Sequence, residues 1–158
     1  METVECLKWL KDNNLYNLSL NLSQTIKKVF TPCLAARDHK ILIIGDTGFK
    51  NRNVSAALSG AYYLATQQLK LDAKLIFQDV KTRGTEADKG VVDSLSDLSN
   101  GNIIILNMSD KLGSIKDLGK SFRKWVKKKD HRFVSAMSLG DLETDKVDLI
   151  AKAIDVPY

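Results

Sequence analysis

The apolar residues of this chain form short continuous runs, and helical patterns lie between the runs. Residues 41–44 and 103–106 are each four consecutive apolar residues, most of them β-branched. A run that is apolar on both faces is typical of an interior strand in a parallel sheet that is covered on each side. Residues 73–77 and 133–136 are weaker runs of the same kind. The pattern therefore predicts four strands.

Three segments between these runs predict helices. Apolar residues recur every three or four positions over residues 54–69, and Asn53 stands where a helix N-cap is expected. A shorter helix is predicted over residues 86–98, before an Asn-Gly stop. Ser114 opens a Ser-Ile-Lys-Asp sequence, a capping box that predicts the start of the next helix. Each of these helices would connect two strands.

Both ends of the chain are also helical in pattern. The N-terminal pattern ends near Pro32, and a last helix starts near Thr144 and stops before Pro157. A helix followed by four strand–helix units predicts right-handed crossovers and a mostly parallel sheet of about four strands. We therefore expect one α/β domain over residues 1–158, three-layered and Rossmann-like or flavodoxin-like, with helices on both faces. Residues 1–36 would pack on it as a helical N-terminal segment.

Composition agrees with a globular domain and indicates where in the cell the protein is expected. The chain has 158 residues, of which 44% are apolar and 27% charged, close to the globular average. No apolar run approaches the roughly 20 residues that cross a bilayer, and the N-terminus has no signal-peptide core. Cys6 and Cys33 are then best interpreted as reduced thiols. We expect a soluble, cytoplasmic protein with no membrane partner.

Positive charge is concentrated in one segment. The formal net charge is +5, whereas residues 111–132 alone carry nine Lys or Arg and two Asp, a net +7. Five of these cations lie on the outer faces of the predicted helix: Lys120, Arg123, Lys124, Lys127 and Lys128. They could bind nucleic-acid phosphates or an acidic partner, or form the solvated face of a helix whose Phe122 and Trp125 lie in the core. We favour the solvated face, because no nucleic-acid-binding motif accompanies the charge.

The first candidate ligand site follows the first strand, since open parallel sheets bind ligands beyond the carboxyl ends of their strands. Gly45, Asp46, Thr47 and Gly48 lie there, with small residues that a phosphate could approach and a helix a few residues later. The segment lacks the third glycine of the dinucleotide fingerprint and the ending of a P-loop. It is a candidate site for a nucleotide or another phosphorylated ligand, and the interpretation we favour is a plain strand-to-helix turn.

Other chemistry has little support in the sequence. Four aspartates could face the same rim of the sheet, which raises the hypothesis of a divalent-metal site: Asp46, Asp79, Asp110 and Asp141. Aspartate is also the ordinary residue of turns, and no histidine accompanies these four at ligand spacing. His39 is expected at the surface and His131 in a basic loop. We assign no metal ligand and no catalytic residue.

Three consecutive segments resemble the N-terminal domain of the thermophilic metallo-aminopeptidases, the aminopeptidase T and aminopeptidase S group. They are Ile-Leu-Ile-Ile-Gly-Asp-Thr at 41–47, Val-Ser-Ala-Ala-Leu-Ser-Gly-Ala-Tyr-Tyr at 54–63 and Ala-Lys-Leu-Ile-Phe at 73–77. In that family such an opening leads into an α/β sandwich. Residues 102–107, 120–123 and 138–140 look like the later strand–helix units of the same domain, so the resemblance covers about residues 41–158.

The resemblance implies a chain without peptidase activity of its own. In the family, a pair of divalent ions such as cobalt or zinc activates the water that cleaves an N-terminal residue from a peptide. Glutamates, histidines and an aspartate of a separate C-terminal domain hold those ions, and no segment here matches that part. No cofactor is therefore expected in this chain. The implied partners are the C-terminal catalytic domain or a second copy in a homodimer, and the implied role is to frame the substrate chamber.

Overall fold

A four-stranded parallel sheet forms the centre of the protein. The computed structural model describes residues 1–155. The strands are β1 (Lys40–Asp46), β2 (Asp72–Gln78), β3 (Ile103–Asn107) and β4 (Arg132–Ala136), in the spatial order β2-β1-β3-β4. All neighbouring pairs are parallel, and Ile43 of β1 lies opposite Leu75 of β2 and Ile105 of β3. The predicted strands and their parallel arrangement are confirmed.

Six α-helices flank the sheet in the part of the chain that the structure describes. They are α1 (Thr3–Asp12), α2 (Tyr16–Lys28), α3 (Val54–Gln68), α4 (Lys89–Asp97), α5 (Phe122–Lys128) and α6 (Val147–Ile154). The first two precede the sheet, the next three connect successive strands, and the last follows β4. The predicted three-layer α/β architecture is therefore present. None of the described helices is long and apolar enough to cross a membrane.

The helices lie on both faces because successive strands are added in opposite directions across the sheet: β2 is added on one side of β1, and β3 and β4 on the other. Right-handed crossovers then place α3 on one face, and α4 and α5 on the other. Alternate residues of β1 point to opposite faces. Ile41 and Ile43 pack in a core with residues of α1, α2 and α3, whereas Leu42 and Ile44 pack with residues of α4 and α5. This two-sided burial explains why β1 is apolar at every position from 41 to 44.

The N-terminal segment is more elaborate than the pattern predicts. It consists of two helices and a π-helical turn, Val29–Cys33, which contains Pro32. Leu10 of α1 and Ile26 of α2 are buried in the core beside α3. The chain start also covers the outer edge of β2, because the N–H of Phe77 donates to the carbonyl of Met1 at 3.0 Å. Sequence patterning predicted the helices but not this edge contact.

Two predicted helix starts are wrong, and one tertiary contact explains both. α4 begins at Lys89 rather than Glu86, and α5 begins at Phe122 rather than after Ser114. The N–H of Ser114 donates to Thr85 at 2.8 Å, and its carbonyl accepts from the N–H of Ala87 at 2.9 Å. Backbone groups that pair between two loops are not available to start a helix, so both helices start later.

The serine that caps α5 is Ser121, not Ser114. The Ser121 hydroxyl oxygen accepts from the N–H of Lys124 at 3.4 Å, the bond expected of an N-cap. At the end of the chain, a 3₁₀ turn at Thr144–Lys146 leads directly into α6, which confirms the predicted start. The predicted stop before Pro157 lies outside the described residues.

Candidate functional site

The sheet has one topological switch point, between the carboxyl ends of β1 and β3. From β1 the chain leaves for β2 on one side, and it returns to β3 on the other. The connections that leave these two strands go to opposite faces, which opens a crevice in many parallel α/β proteins. Asp46 ends β1 at this point, and Asn107 ends β3.

Asp46 fills the switch point with its own carboxylate. The side chain is fully buried, and one oxygen accepts from the N–H of Ser109 at 2.7 Å. The other oxygen accepts from the Ser109 hydroxyl at 2.5 Å and from the N–H of Gly48 at 3.0 Å. Three donors therefore surround the carboxylate, and Asp46 connects the segment after β1 to the segment after β3.

A second set of buried polar groups supports this connection from α3. The Ser55 hydroxyl donates to the carbonyl of Asn107, and its oxygen accepts from the N–H of Asp46 at 3.0 Å. The Asn107 amide donates to the Ser59 hydroxyl at 3.1 Å, whereas its buried Oδ1 has no partner among the described residues. A Cβ on Gly45 would lie 2.4 Å from Ser59 Oγ, so only glycine permits this close approach.

Burial and hydrogen bonding have opposite effects on the pKa of the Asp46 carboxyl. Burial raises the pKa of the Asp46 carboxyl above its ordinary value of 3.8, because water no longer solvates the charge. The hydrogen bonds from Ser109 and Gly48 oppose the rise, since they stabilise the ionised form. A raised pKa in a pocket can mark an acid–base group. Here both oxygens are occupied by protein donors, and the carboxylate serves as a structural joint.

The loop from Gly45 to Gly48 uses its own backbone donors. The N–H of Thr47 donates to the Gln78 carbonyl at 3.1 Å, and the N–H of Phe49 donates to the Arg52 carbonyl at 3.1 Å. Together with the bond from Gly48 to Asp46, these contacts engage three successive amides. Phosphate binding by this loop stays a prediction, but in this conformation the amides that would hold a phosphate are already paired.

The helix that follows the loop also departs from expectation. Asn53 occupies the N-cap position of α3, but its side chain makes no capping bond. Its amide instead donates to the Thr47 carbonyl at 2.8 Å, and its backbone N–H donates to the Thr144 hydroxyl at 2.9 Å. Asn53 therefore holds the loop and the start of the last helical segment together, rather than closing the helix end.

The four rim aspartates do not form a cluster. Asp46 is buried and Asp110 half-buried, whereas Asp79 and Asp141 are exposed. Among residues 1–155, no three His, Cys, Asp or Glu side chains come together in a way that could hold a metal ion. The metal hypothesis therefore has no geometric support in the described part of the chain. Asp79 lies instead on an open cleft of about 590 Å³, with Thr47 and Trp9.

The predicted basic residues are exposed, but Lys120 precedes α5 and does not lie on the helix. All five side chains are exposed: Lys120, Arg123, Lys124, Lys127 and Lys128. None of them forms a salt bridge with a described residue. Trp125 is buried and Phe122 half-buried, and both pack in the core beneath α5. The aromatic side chains are therefore part of the fold and do not form a base-stacking surface.

His131 lies in the loop between α5 and β4, as the sequence predicts, but its side chain is buried. It is 7% exposed, and its ring lies 5.3 Å from the Trp125 ring. Nδ1 accepts from the N–H of Asn102 at 3.1 Å, and Nε2 has no partner among the described residues. Burial lowers the pKa of His131 below its ordinary value of 6.5. His39 is half-buried and contacts the guanidinium of Arg132 at 2.7 Å.

Sequence reasoning missed most of the polar network. Asp46 was expected at the rim of the sheet, but no role was predicted for the side chains of Ser55, Ser59, Asn107 and Ser109. One signal was present in the sequence: Ser55 and Ser59 are spaced four apart, which places both on the same face of α3. Comparisons with family models, with curated proteins and with solved structures found no match to this chain.

Proposed function

We propose that this chain is a non-catalytic α/β domain of the kind that forms the N-terminal part of thermophilic metallo-aminopeptidases. The three segments that carry the resemblance are β1, α3 and β2, which are consecutive and adjacent in the fold. The Ala61 and Tyr62 side chains of the helical segment are buried. The proposal thus has the support of a parallel α/β architecture at the positions that the resemblance requires.

The Asp46–Ser109 connection is the observation that carries the proposal. Ligands of parallel α/β folds enter at the switch point, and here the protein's own buried carboxylate, serine hydroxyls and asparagine occupy it. Hydrogen bonds that hold the carboxyl ends of the strands in this way would make this edge of the sheet a rigid surface for contact with another domain. The role would be to frame a substrate chamber and to contact the catalytic domain or a second copy, while a divalent metal pair acts elsewhere.

Peptidase assays test this proposal directly. The purified chain is incubated with aminoacyl p-nitroanilides and either cobalt or zinc, and release of the chromophore is followed. We expect no metal-dependent turnover above that of the buffer. Turnover that needs added metal, is removed by a chelator and elutes with the chain in gel filtration would overturn the proposal. Thermal shifts with millimolar nucleotides form the second arm, and a clear shift would favour the phosphorylated-ligand alternative.

A nucleic-acid-associated adaptor is the second candidate. The observation in its favour is the row of exposed cations on α5, none of which is neutralised by a described acidic side chain. A protein that binds phosphates in this way loses affinity steeply with salt, with a log–log slope of roughly 0.9 per phosphate contacted on duplex DNA. Fluorescence anisotropy with a labelled duplex and a labelled single strand, over a series of salt concentrations, measures that slope. Undetectable or salt-insensitive binding would remove this candidate.

A further inference from the structure

The two outer edges of the sheet differ. The edge of β2 is covered, because Met1 exchanges backbone hydrogen bonds with Phe77 at 3.0 and 3.1 Å, and Glu2 bridges Ile76. The outer edge of β4 receives no such partner from the described residues. An open edge presents a row of unpaired N–H and C=O groups that another chain can use.

The direction of the backbone groups in β4 is fixed by its pairing with β3. The N–H of Arg132 donates to Asn102 at 3.0 Å, and the carbonyl of Ala136 accepts from Met108 at 2.9 Å. Because backbone groups alternate along a strand, the N–H and C=O of Phe133 and Ser135 point away from the sheet. These two residues are the donors and acceptors that the β4 edge offers.

A groove runs beside this edge. It consists of two depressions, of about 450 and 300 Å³, that share Arg123 and Phe133 in their linings. The Arg123 guanidinium lies 5.8 Å from the Phe133 ring. Leu34 comes to the first depression from one face of the sheet, and Lys127 comes from the other. The second depression is largely apolar and includes Met137. We call this surface the β4 groove.

The charged residues that line the β4 groove indicate which kind of molecule it would bind. Arg123, Lys127 and Arg132 line it, with Asp130 as the opposing charge. His131 belongs to the same wall, and because Nδ1 accepts a hydrogen bond, the neutral ring carries its proton on Nε2. Nε2 has no acceptor among the described residues, but it is itself buried and therefore not open to an occupant of the groove. The Arg132 guanidinium already contacts the Leu34 carbonyl and His39. Arg123 and Lys127, by contrast, are exposed and form no salt bridge with a described residue. These two cations favour an occupant rich in carboxylate oxygens.

We propose that the β4 groove binds an extended acidic peptide segment of a partner protein, which adds to β4 as a fifth strand. Backbone bonds to Phe133 and Ser135 would hold the segment, in the manner of strand addition at other open sheet edges. Side chains of the added strand alternate between the two faces. Carboxylates on one face would meet Arg123 and Lys127, and apolar residues on the other would meet Leu34.

Two other occupants fit the β4 groove less well. A second copy that pairs β4 with β4 in antiparallel fashion would place two basic α5 helices on the same face of one sheet, with like charges side by side. Nucleic acid would satisfy the cations, because its phosphates are negatively charged. It would leave the outward carbonyls of Phe133 and Ser135 without donors, whereas a peptide backbone supplies both kinds of group.

The test uses the full chain and a fluorescein-labelled peptide of alternating glutamate and valine, about eight residues long, a length typical of strands. Fluorescence anisotropy at low and moderate salt measures its affinity. We expect saturable binding that the Arg123→Glu and Lys127→Glu double variant weakens about tenfold or more, since each charge reversal replaces attraction with repulsion. The matched control is the Lys124→Glu and Lys128→Glu double variant. It has the same charge change on exposed positions of α5 outside the groove, and we expect a much smaller loss.

Backbone pairing has a separate test. Ser135→Pro removes one outward N–H, a change that edge strands tolerate, and a peptide with a central proline lacks one of the complementary donors. Both should reduce binding strongly, while circular dichroism and urea unfolding show whether the variant keeps its fold. Four results would overturn the proposal: no saturable binding of the peptide, equal losses for the two double variants, tighter binding of labelled single-stranded DNA at the same groove, or a dimer abolished by Arg123→Glu and Lys127→Glu. The first double variant keeps the test decisive if Ser135→Pro does not fold.

Discussion

Asp46 and Ser109 connect the carboxyl ends of β1 and β3 through two hydrogen bonds, one from the Ser109 N–H at 2.7 Å and one from its hydroxyl at 2.5 Å. Both residues are buried. Asp46→Ala would leave two buried donors of Ser109 and the N–H of Gly48 without their acceptor. We expect the free energy of unfolding, measured with urea, to fall by about 2–4 kcal/mol.

Asp79→Ala is the matched control for that change. Asp79 is exposed and lies directly after β2, whereas Asp46 is the last residue of β1. No hydrogen bond or salt bridge to Asp79 is seen among the described residues. Its removal should change the free energy of unfolding by no more than about 0.5 kcal/mol. Equal effects at the two positions would contradict the role of Asp46 as a structural joint.

The pH dependence of stability should reveal the raised pKa of Asp46. Because the folded-state pKa lies above the ordinary 3.8, the folded protein holds the Asp46 proton more tightly than the unfolded chain does. The contribution of protonated Asp46 is therefore fully present below pH 3.8 and is lost as the pH rises through the folded-state pKa. The unfolding free energy of the wild type, minus that of Asp46→Asn, should decrease over this range. An increase would mean that the hydrogen bonds outweigh burial and lower the pKa.

The two cysteines should differ sharply in reactivity. Cys6 is fully buried, and burial raises the pKa of its thiol to about 12, whereas Cys33 is exposed. Since the thiolate is the reactive form, iodoacetamide at mildly alkaline pH should label Cys33 in the native protein and spare Cys6. Mass spectrometry of tryptic peptides measures both sites at once. Cys33→Ser should leave the native protein almost unlabelled, and labelling at Cys6 should appear only with denaturant.

Two helical glycines should respond in opposite ways to alanine. A Cβ on Gly60 in α3 would lie 2.6 Å from Leu10 Cδ1 and 2.7 Å from Ser19 Oγ, where α3 packs against α1 and α2. Overpacking there should destabilise the protein by about 1–3 kcal/mol, in spite of the better helix propensity of alanine. A Cβ on Gly90 in α4 would have only Ile76 at 3.4 Å, an ordinary contact.

Gly90→Ala is therefore the control, and we expect it to be neutral or to stabilise by up to about 1 kcal/mol through helix propensity. Thermal and urea unfolding of both variants measure the difference. A Gly60→Ala variant as stable as the wild type would show that α1 and α2 can move away from α3 at little cost.

Strand positions could be predicted from the sequence because a strand that is buried on both faces consists of consecutive apolar residues. Residues 41–44 and 103–106 are apolar throughout, and they form the two interior strands β1 and β3. The edge strand β4 is half-exposed and gave a weaker pattern. The order of helices and strands then determined the parallel topology through the right-handed crossover rule.

Helix starts and the polar network could not be predicted, because they depend on partners distant in sequence. Ser114 has the local sequence of a cap, but its backbone pairs with Thr85 and Ala87. Asn53 has the position of a cap, but its side chain bonds to Thr47. The acceptor for Ser109 lies 63 residues earlier in the chain. No local pattern indicates such a pair, and only the fold brings its members together.

The pairing between the loops that follow β2 and β3 has a mechanical consequence. The N–H groups of Lys111 and Ser114 donate to the carbonyls of Lys81 and Thr85 across these loops. Gly113, at φ +91°, lets the two loop segments come close, because a Cβ there would lie 2.6 Å from the Ala87 nitrogen. Backbone hydrogen bonds therefore hold the two connections together. We therefore expect that proteolytic cleavage near the exposed Gly84 would also loosen the backbone around Ser114, which is paired with Thr85 and Ala87.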